Sequence, residues 1–289
     1  EGTYYMSEKN IYVATETDAW RKTKISRYSY EKGTIKYACE KVINGTILNQ
    51  FSMDEYEGNL RFAATTYDDN GKTTNGLYIV DSLFKTIGSV SRLAPGERIY
   101  SARFMGESVY FVTYRETDPL FLVDVSDPAN PVVKDKLKIP GFSDYLHPFG
   151  DNMLLGIGSI QDKEGNSYVK LSMFDISNPE KVKEIHSKKL GKNTVQNMGS
   201  DHKGIVVDAE RNRIAFGVEN YDDTTDSFYE IFSYDKQKGF QNIAKLSLEE
   251  SYSTESRGLY IGDYFYLCKT SSGTVSYTHL RAHETGAYL

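Results

Sequence analysis

Short apolar runs alternate with polar turns along this chain, and each run has the length of a strand. Six of them follow a turn-forming residue. They are KNIYVAT, GNLRFAATT, ESVYFVTY, DNMLLGIG, RNRIAFGV and GDYFYLC, which begin at Lys9, Gly58, Glu107, Asp151, Arg211 and Gly262. The steps between them are 49, 49, 44, 60 and 51 residues. Self-similarity at such a period is typical of repeat architectures.

A turn motif recurs at a constant place in this repeat. The stretch LFLVDVSDPANP, which begins at residue 120, returns as LSMFDISNPEK. The copies align Asp124 with Asp175, Ser126 with Ser177 and Pro128 with Pro179. Asp and Ser side chains bind nearby backbone groups, and Pro presets the backbone of a turn. We predict that the third strand of each unit ends here and that the fourth follows.

Each unit therefore contains four short strands, and a four-stranded sheet repeated radially is a blade of a β-propeller. The predicted fold is all-β, an incomplete propeller segment with about four full antiparallel blades and two partial ones. The predicted blades span residues 4–45 (without an inner strand), 50–95, 97–141, 143–196 and 199–250, followed by a partial blade at 255–270. A β-sandwich shares the strand spacing, but it does not explain why the Asp-x-Ser-x-Pro turn recurs at the same place in the repeat.

Composition supports strands and excludes some functions. The 23 Tyr and 14 Phe suit pleated, half-buried surfaces. A net charge of -6 argues against nucleic-acid binding. No apolar run approaches the ~20 residues of a membrane span. The two cysteines, Cys39 and Cys268, lie too far apart for a Cys-x-x-Cys zinc motif, and we predict no metal site and no cofactor.

The segment 275–289 breaks the repeat. Its letters SYTHLRAHET resemble translated library-adapter sequence of the kind found at the ends of metagenomic reading frames. We therefore predict a non-native tail on a metagenomic fragment, and a propeller segment at 1–274.

Longer stretches carry a family resemblance. NGTILNQFSMDEYEGNLRFAATT, KIPGFSDYLHPFGDNMLLGIG and ESRGLYIGDYFYLC resemble the secreted bacterial and archaeal β-propeller family that is distantly related to WD40 repeats. The resemblance covers about residues 4 to 270. It implies an exported protein of the cell surface or envelope, with further blades and an export signal or anchor upstream. It carries over no catalytic residue.

Candidate site residues come from the first strand of each unit, which lines the central channel of a propeller. Counting back five residues from the turn that opens the second strand selects Asp54, Arg103 and His147. Longer connections shift this count in the later units. The predicted channel-mouth ligand site consists of Asp54, Glu55, Arg103, His147, Asp201 and His202, with Glu255 and Arg257 as the equivalents in the last unit.

The alternative is structural pairing, because a buried charge without a partner is costly. Asp54 and Glu55 could then pair with Arg98 and Arg103 of the next blade. Three acidic loops resemble calcium loops only superficially, since the one that begins at Asp162 has Met173 where a bidentate Glu would close it. We interpret them as hairpin tips.

The sequence favours a non-catalytic extracellular module that binds protein or carbohydrate, or that acts as a scaffold. An envelope hydrolase with carboxylates at the channel mouth is the enzymatic alternative. A spacer that holds a neighbouring domain is the third possibility.

Overall fold

The computed structural model describes residues 2–17, 21–68, 70–114, 118–197, 201–221, 225–248, 256–262, 264–269 and 275–279. These residues form strands and two 3₁₀ turns, Gln50–Ser52 and His202–Gly204. No helix in the described part of the chain is long and apolar enough to cross a membrane. The strands form six sheets whose neighbours run antiparallel, so the fold is the predicted β-propeller.

The first three sheets follow each other along the chain. The first contains β1 (Gly2–Met6), β2 (Asn10–Glu16), β3 (Thr23–Glu31) and β4 (Thr34–Ile43). The second contains β5 (Gly45–Thr46), β6 (Met53–Tyr56), β7 (Asn59–Tyr67), β8 (Thr73–Val80) and β9 (Thr86–Leu93), with β5 and β6 both paired to β7. The third contains β10 (Arg98–Met105), β11 (Ser108–Tyr114), β12 (Asp118–Asp124) and β13 (Val132–Ile139).

Three further sheets follow. The fourth contains β14 (Phe142–Pro148), β15 (Met153–Gln161), β16 (Ser167–Asn178) and β17 (Lys181–Lys189). The fifth contains β18 (Thr194–Val195), β19 (Val206–Asp208), β20 (Arg213–Tyr221), β21 (Thr225–Asp235) and β22 (Gly239–Ser247), with β18 and β19 both paired to β20. The sixth contains β23 (Ser256–Ile261), β24 (Tyr264–Lys269) and β25 (Val275–His279).

The strand bounds differ from the prediction at three places. The first sheet has an inner strand, β1, where we expected none. The inner strands of the second and fifth sheets are each split around a 3₁₀ turn, so β5 and β18 lie ahead of the predicted blade starts at 50 and 199. The backbone of residues 275–279 pairs with β24. That these residues belong to a non-native tail stays a prediction.

The recurrent Asp turn is present in the third sheet. Asp124 ends β12 and its carboxylate accepts the backbone N–H of Ser126 at 2.9 Å. In the fourth sheet the strand does not end at Asp175, because β16 continues to Asn178. There Asn178 accepts the N–H of Glu180 at 2.8 Å, so the same kind of turn closes three residues later.

Contacts divide the chain into two compact units. The first comprises Glu1–Phe142 with Ile176–Lys183, and the second comprises Ser143–Asp175 with Glu184–Leu289. Within each unit the core lies between the faces of successive sheets. In β7, Phe62 and Ala64 pack towards the first sheet whereas Ala63 packs towards the third. Because both faces of the strand are covered, its residues are buried almost continuously.

Candidate functional site

A pocket of about 420 Å³ lies in the first unit, where the inner strands of three successive sheets come together. β1, β6 and β10 contribute to it, as does the 3₁₀ turn Gln50–Ser52. Asp54 and Arg103, which the repeat register selects, both line this pocket. The register argument therefore identified two side chains, about fifty residues apart in the sequence, that face one cavity.

Asp54 is held by a cation on the adjacent strand of its own sheet. Arg61 is its register partner on β7, and the Arg61 Nε donates to Asp54 Oδ2 at 3.0 Å. A second guanidinium nitrogen of Arg61 also contacts Oδ2. The Arg61 side chain is buried and donates to the carbonyl of Gly106 in the third sheet at 2.6 Å. Asp54 therefore pairs with Arg61 of its own sheet, and Arg61 also contacts the next blade through Gly106, whereas the alternative interpretation named Arg98 and Arg103 as the cations.

Glu55 points to the first sheet and is surrounded by neutral donors. Its carboxylate accepts the hydroxyl of Ser7 at 2.8 Å, the amide of Asn10 at 2.9 and 3.1 Å, and the hydroxyl of Tyr12 at 2.8 Å. Its backbone N–H donates to the Tyr5 hydroxyl at 3.1 Å. Both carboxylate oxygens therefore serve to join the first and second sheets.

The same contacts change the acidity of two tyrosines. Burial raises the pKa of Tyr12, and the hydrogen bond to Glu55 raises it further because the carboxylate favours the neutral phenol. Burial likewise raises the pKa of Tyr5, whose hydroxyl lies 3.5 Å from Asp54. Both phenols remain protonated donors at neutral pH.

Arg103 lies against an aromatic ring of the 3₁₀ turn. Its guanidinium carbon is 4.3 Å from the centroid of the Phe51 ring. This is the geometry of a cation–π contact. The exposed side chains of Tyr4 and Met6 complete the rim.

The second unit contains the remaining candidates. His147 lies on β14, and its Nδ1 is 2.9 Å from the hydroxyl of Tyr145. Sequence reasoning missed Asp144 on the same strand, because the five-residue count selects the position three residues later. The Nε2 of Gln196 donates to Asp144 Oδ2 at 2.6 Å. Burial raises the pKa of Asp144 to about 7, and the Gln196 bond opposes this only in part.

Asp201 and His202 occupy a different structural position from Asp54. They lie at the start of the 3₁₀ turn that precedes β19, just as Asn49 and Gln50 precede β6. The longer connection therefore moved the count off the inner strand. The carboxylate of Asp201 instead accepts hydrogen bonds from both terminal nitrogens of Arg257, at 2.8 and 3.0 Å. The other residue suggested for the last unit, Glu255, lies outside the described residues.

The loop at Asp162 is a self-contained turn. Its carboxylate accepts the backbone N–H groups of Glu164 and Asn166 at 2.9 Å, the Asn166 amide at 2.8 Å and the Tyr168 hydroxyl at 2.9 Å. These donors lower the pKa of Asp162 to about 2. A cation would have to displace them, which agrees with the interpretation of this loop as a hairpin tip.

Two curated archaeal proteins are similar to this chain. An uncharacterized protein of Archaeoglobus fulgidus is 34% identical over 269 residues, which are 92% of this chain and 39% of that protein. An uncharacterized protein of Methanocaldococcus jannaschii is 47% identical over 150 residues, which are 51% of this chain and 24% of that protein. The chain thus spans less than half the length of either relative.

Two solved structures are distantly similar to this chain. A protein from Lactobacillus plantarum aligns with a TM-score of 0.40 and 12% identity, covering 93% of this chain and 94% of that one. A europium-containing methanol dehydrogenase aligns with a TM-score of 0.48 and 7% identity, covering 98% of this chain and 79% of that one. No functional argument rests on either alignment.

The family, in contrast, is clear from the sequence. The sequence model described as the beta propeller domain matches residues 1–281. This agrees with the six antiparallel sheets and with the repeat of about fifty residues. The chain belongs to the beta propeller domain family.

Proposed function

We propose that this chain is a non-catalytic binding module and that the pocket between β1, β6 and β10 accepts a segment of polypeptide. The single observation that carries this proposal is the combination of exposed Tyr4 and Met6 with the Arg103–Phe51 pair at one cavity. Aromatic residues, Met and Arg are the residue types enriched where proteins bind each other.

Exposure supports this assignment. Tyr4 is 68% and Met6 is 56% exposed, so two large apolar side chains face solvent beside the pocket. Both are carried by β1, which is paired to β2 over its whole length and is therefore held in place. A rigid strand with exposed apolar side chains loses little entropy when a ligand covers it.

The state of the carboxylates supports binding rather than catalysis at this pocket. Asp54 is ion-paired with Arg61, and both oxygens of Glu55 accept hydrogen bonds from the first sheet. A carboxylate that acts as a base or nucleophile needs access to the reacting atoms. Asp54 lines the pocket but is held by Arg61, and Glu55, which does not line the pocket, joins the first and second sheets.

We also propose that the module acts at the cell surface. The support is the resemblance to secreted propellers, together with a surface of net negative charge that has no attraction to nucleic acid. Fractionation of cells that express the full-length gene tests this location. Recovery of the protein in the cytosolic fraction alone would contradict it.

The binding proposal is tested by selecting ligands from a random peptide library displayed on phage, in parallel with a glycan array. We expect selected peptides to lose at least tenfold in affinity for Tyr4→Ala and for Arg103→Ala, since truncation of a central aromatic or Arg residue costs ~2 kcal/mol or more. Leu83→Ala is the matched control, because Leu83 is 80% exposed and does not line the pocket.

Two outcomes would overturn this assignment. Peptides that bind Tyr4→Ala, Arg103→Ala and the unsubstituted chain equally would place the interaction elsewhere. Glycans that bind this pocket in the absence of any selected peptide would make carbohydrate the ligand.

A second candidate function rests on Asp144. A carboxyl group with a pKa of about 7 is half protonated at neutral pH, which suits general acid–base catalysis. An envelope hydrolase would use it as a proton donor. Turnover on a panel of glycosides and peptides, lost in Asp144→Asn, would favour this alternative over the binding module.

A further inference from the structure

A second pocket, of about 440 Å³, lies at the other edge of the second sheet. It is bounded by β4, the outer strand of the first sheet, and by β7, β8 and β9 of the second sheet, all within the first unit. Its volume falls in the range of ~300–1,000 Å³ that is usual for small-molecule sites. The binding module proposed above does not use it.

A β-bulge shapes one wall of this pocket. In the β8–β9 pair, Asn75 faces Leu93 while Leu77 faces Val90, so β9 has one residue more than β8 between these points. The extra length lies at Ser91 and Arg92, which both line the pocket. β-bulges turn side chains out of the regular alternation and are frequent near functional sites.

The β8–β9 pair has one shift of register more than the other outer-strand pairs whose register is described. The β3–β4, β12–β13 and β21–β22 pairs each show one shift of register, whereas β8–β9 shows a second. Arg92 has a φ of 60°, a left-handed conformation that is uncommon for a residue other than Gly. A strained non-Gly residue persists only where its surroundings fix it.

A buried polar network fixes the backbone after the bulge. The side-chain amide of Asn75, which is fully buried, donates to the carbonyls of Leu93, Ala94 and Glu97 at 3.2 to 3.4 Å. The Asn75 oxygen accepts the hydroxyl of Thr65 at 2.9 Å. The position of Arg92 is therefore determined by the core of the sheet and not by a loose loop.

Two cations of the pocket lack acidic partners in the described part of the chain. Arg92 is exposed, and its side chain makes no hydrogen bond or ion pair with any described residue. Lys41 is partly buried, and its Nζ donates to the carbonyl of Phe84 at 3.1 Å. The carboxylate of Asp68, which also lines the pocket, accepts the N–H groups of Asn70 and Lys72 in its own turn.

The other lining groups suit a polyhydroxylated ring. Thr86 and Ser91 are exposed, and their hydroxyls have no partner among the described residues. The ring of Tyr78 is only partly buried and lines the cavity, and it stacks on the buried Phe62 with a centroid distance of 5.4 Å. A planar guanidinium matches a carboxylate in two parallel hydrogen bonds, which a neutral sugar cannot offer.

We propose that this pocket is a second ligand site, which binds a carboxylated saccharide of the uronic acid class. Arg92 and Lys41 bind the carboxylate, the hydroxyls of Thr86 and Ser91 bind the ring hydroxyls, and the apolar face of the sugar rests on the ring of Tyr78.

Isothermal titration calorimetry with α-1,4-digalacturonic acid tests this site by measuring its affinity. Galactobiose is the neutral probe of the same ring geometry. We expect the acidic disaccharide to bind, and Arg92→Gln and Lys41→Gln each to weaken it about 10-fold or more, the effect of losing a hydrogen bond to a charged group. Lys36→Gln is the matched control, since Lys36 is an exposed residue of β4 that does not line the pocket. Unchanged thermal unfolding of each variant verifies that it is folded.

Three results would overturn the proposal. The first is the absence of measurable binding of digalacturonic acid to the unsubstituted chain. The second is equal binding of galactobiose, which would remove the role of the carboxylate. The third is equal affinity of Arg92→Gln, Lys41→Gln and Lys36→Gln, which would show only diffuse charge attraction.

Discussion

Arg257 donates to both carboxylate oxygens of Asp201, with Nη1–Oδ2 at 2.8 Å and Nη2–Oδ1 at 3.0 Å. Arg257 belongs to β23 of the sixth sheet, and Asp201 precedes the 3₁₀ turn of the fifth. Their side chains are 34% and 18% exposed, so solvent screens the pair only partly. The planar bidentate geometry therefore links β23, the first strand of the sixth sheet, to the 3₁₀ turn between β18 and β19 of the fifth sheet.

Removal of either member of this pair is expected to destabilise the second unit. Asp201→Ala and Arg257→Ala should each lower the free energy of unfolding by about 1–2 kcal/mol, with a coupling above about 0.5 kcal/mol in the double-mutant cycle. Urea denaturation measures both quantities. Lys24→Ala is the control, because its pair with Glu40 is 3.8 Å long and exposed, and should contribute less than about 0.5 kcal/mol. Additive effects at Asp201 and Arg257 would contradict the pairing.

Glu55→Gln should also lower stability, although the substitution preserves shape. The carboxylate accepts hydrogen bonds from Ser7, Asn10 and Tyr12, and a Gln amide would turn its own donors towards one or more of them. We expect a loss of about 1–3 kcal/mol in urea denaturation, since a buried donor left without an acceptor has this cost. Tyr12→Phe, which removes a single hydroxyl, should cost less. A Glu55→Gln variant as stable as the unsubstituted chain would exclude this role.

Gly88→Ala is expected to disrupt the contact between the second and third sheets. A Cβ at this position would lie 2.2 Å from the carbonyl oxygen of Pro128 and 2.8 Å from that of Ala129, both in the recurrent turn after β12. Because these atoms belong to the backbone, they cannot move without shifting the hairpin, and overpacking of this kind costs about 1–3 kcal/mol. Thermal unfolding measures the loss. Gly191→Ala is the control, because a Cβ at Gly191 would meet only Thr194 Cγ2 at 3.6 Å, an ordinary van der Waals distance, and neither glycine has a left-handed backbone.

The raised pKa of Asp144 predicts a stability that falls with pH. The folded protein holds this proton up to about pH 7, whereas the unfolded chain releases it near the ordinary pKa of 3.8. The folded state therefore binds more protons between these values, and raising the pH across this interval favours unfolding by at most about 4 kcal/mol. Urea denaturation at a series of pH values between 4 and 8 measures this slope. Asp144→Asn should flatten it, and an identical slope in the variant would assign the dependence to other groups.

Calcium is expected to leave the loop at Asp162 unchanged. Its carboxylate already accepts four hydrogen bonds, which lower its pKa to about 2 and favour the folded loop above the ordinary pKa of the group. Calorimetric titration with calcium should give no heat and no shift in thermal unfolding. Asp162→Ala should make the loop more susceptible to proteolysis, as loss of the turn hydrogen bonds predicts. Saturable calcium binding that vanishes in Asp162→Ala would contradict this account.

The repeat and its turns could be predicted from local sequence. Turn formers such as Asp124 act on backbone groups two residues away, so their effect does not depend on distant parts of the chain. The same constant spacing selected Asp54 and Arg103, which do line one pocket. The count failed at Asp201, because the turn between β19 and β20 is longer than the one between β6 and β7, and the shifted count selects a residue that precedes β19.

The sequence by itself determined that this chain forms four-stranded antiparallel units in the order of a propeller, since alternation and turn chemistry act over a few neighbouring residues. Only the tertiary structure decided that Asp54 pairs with Arg61, that Asp144 is buried beside Gln196, and that a second shift of register brings Ser91 and Arg92 to a pocket. These relationships depend on strand register and on the packing of one sheet against the next. Register and packing both bring together residues that are distant in the sequence, so no local sequence pattern predicts these contacts.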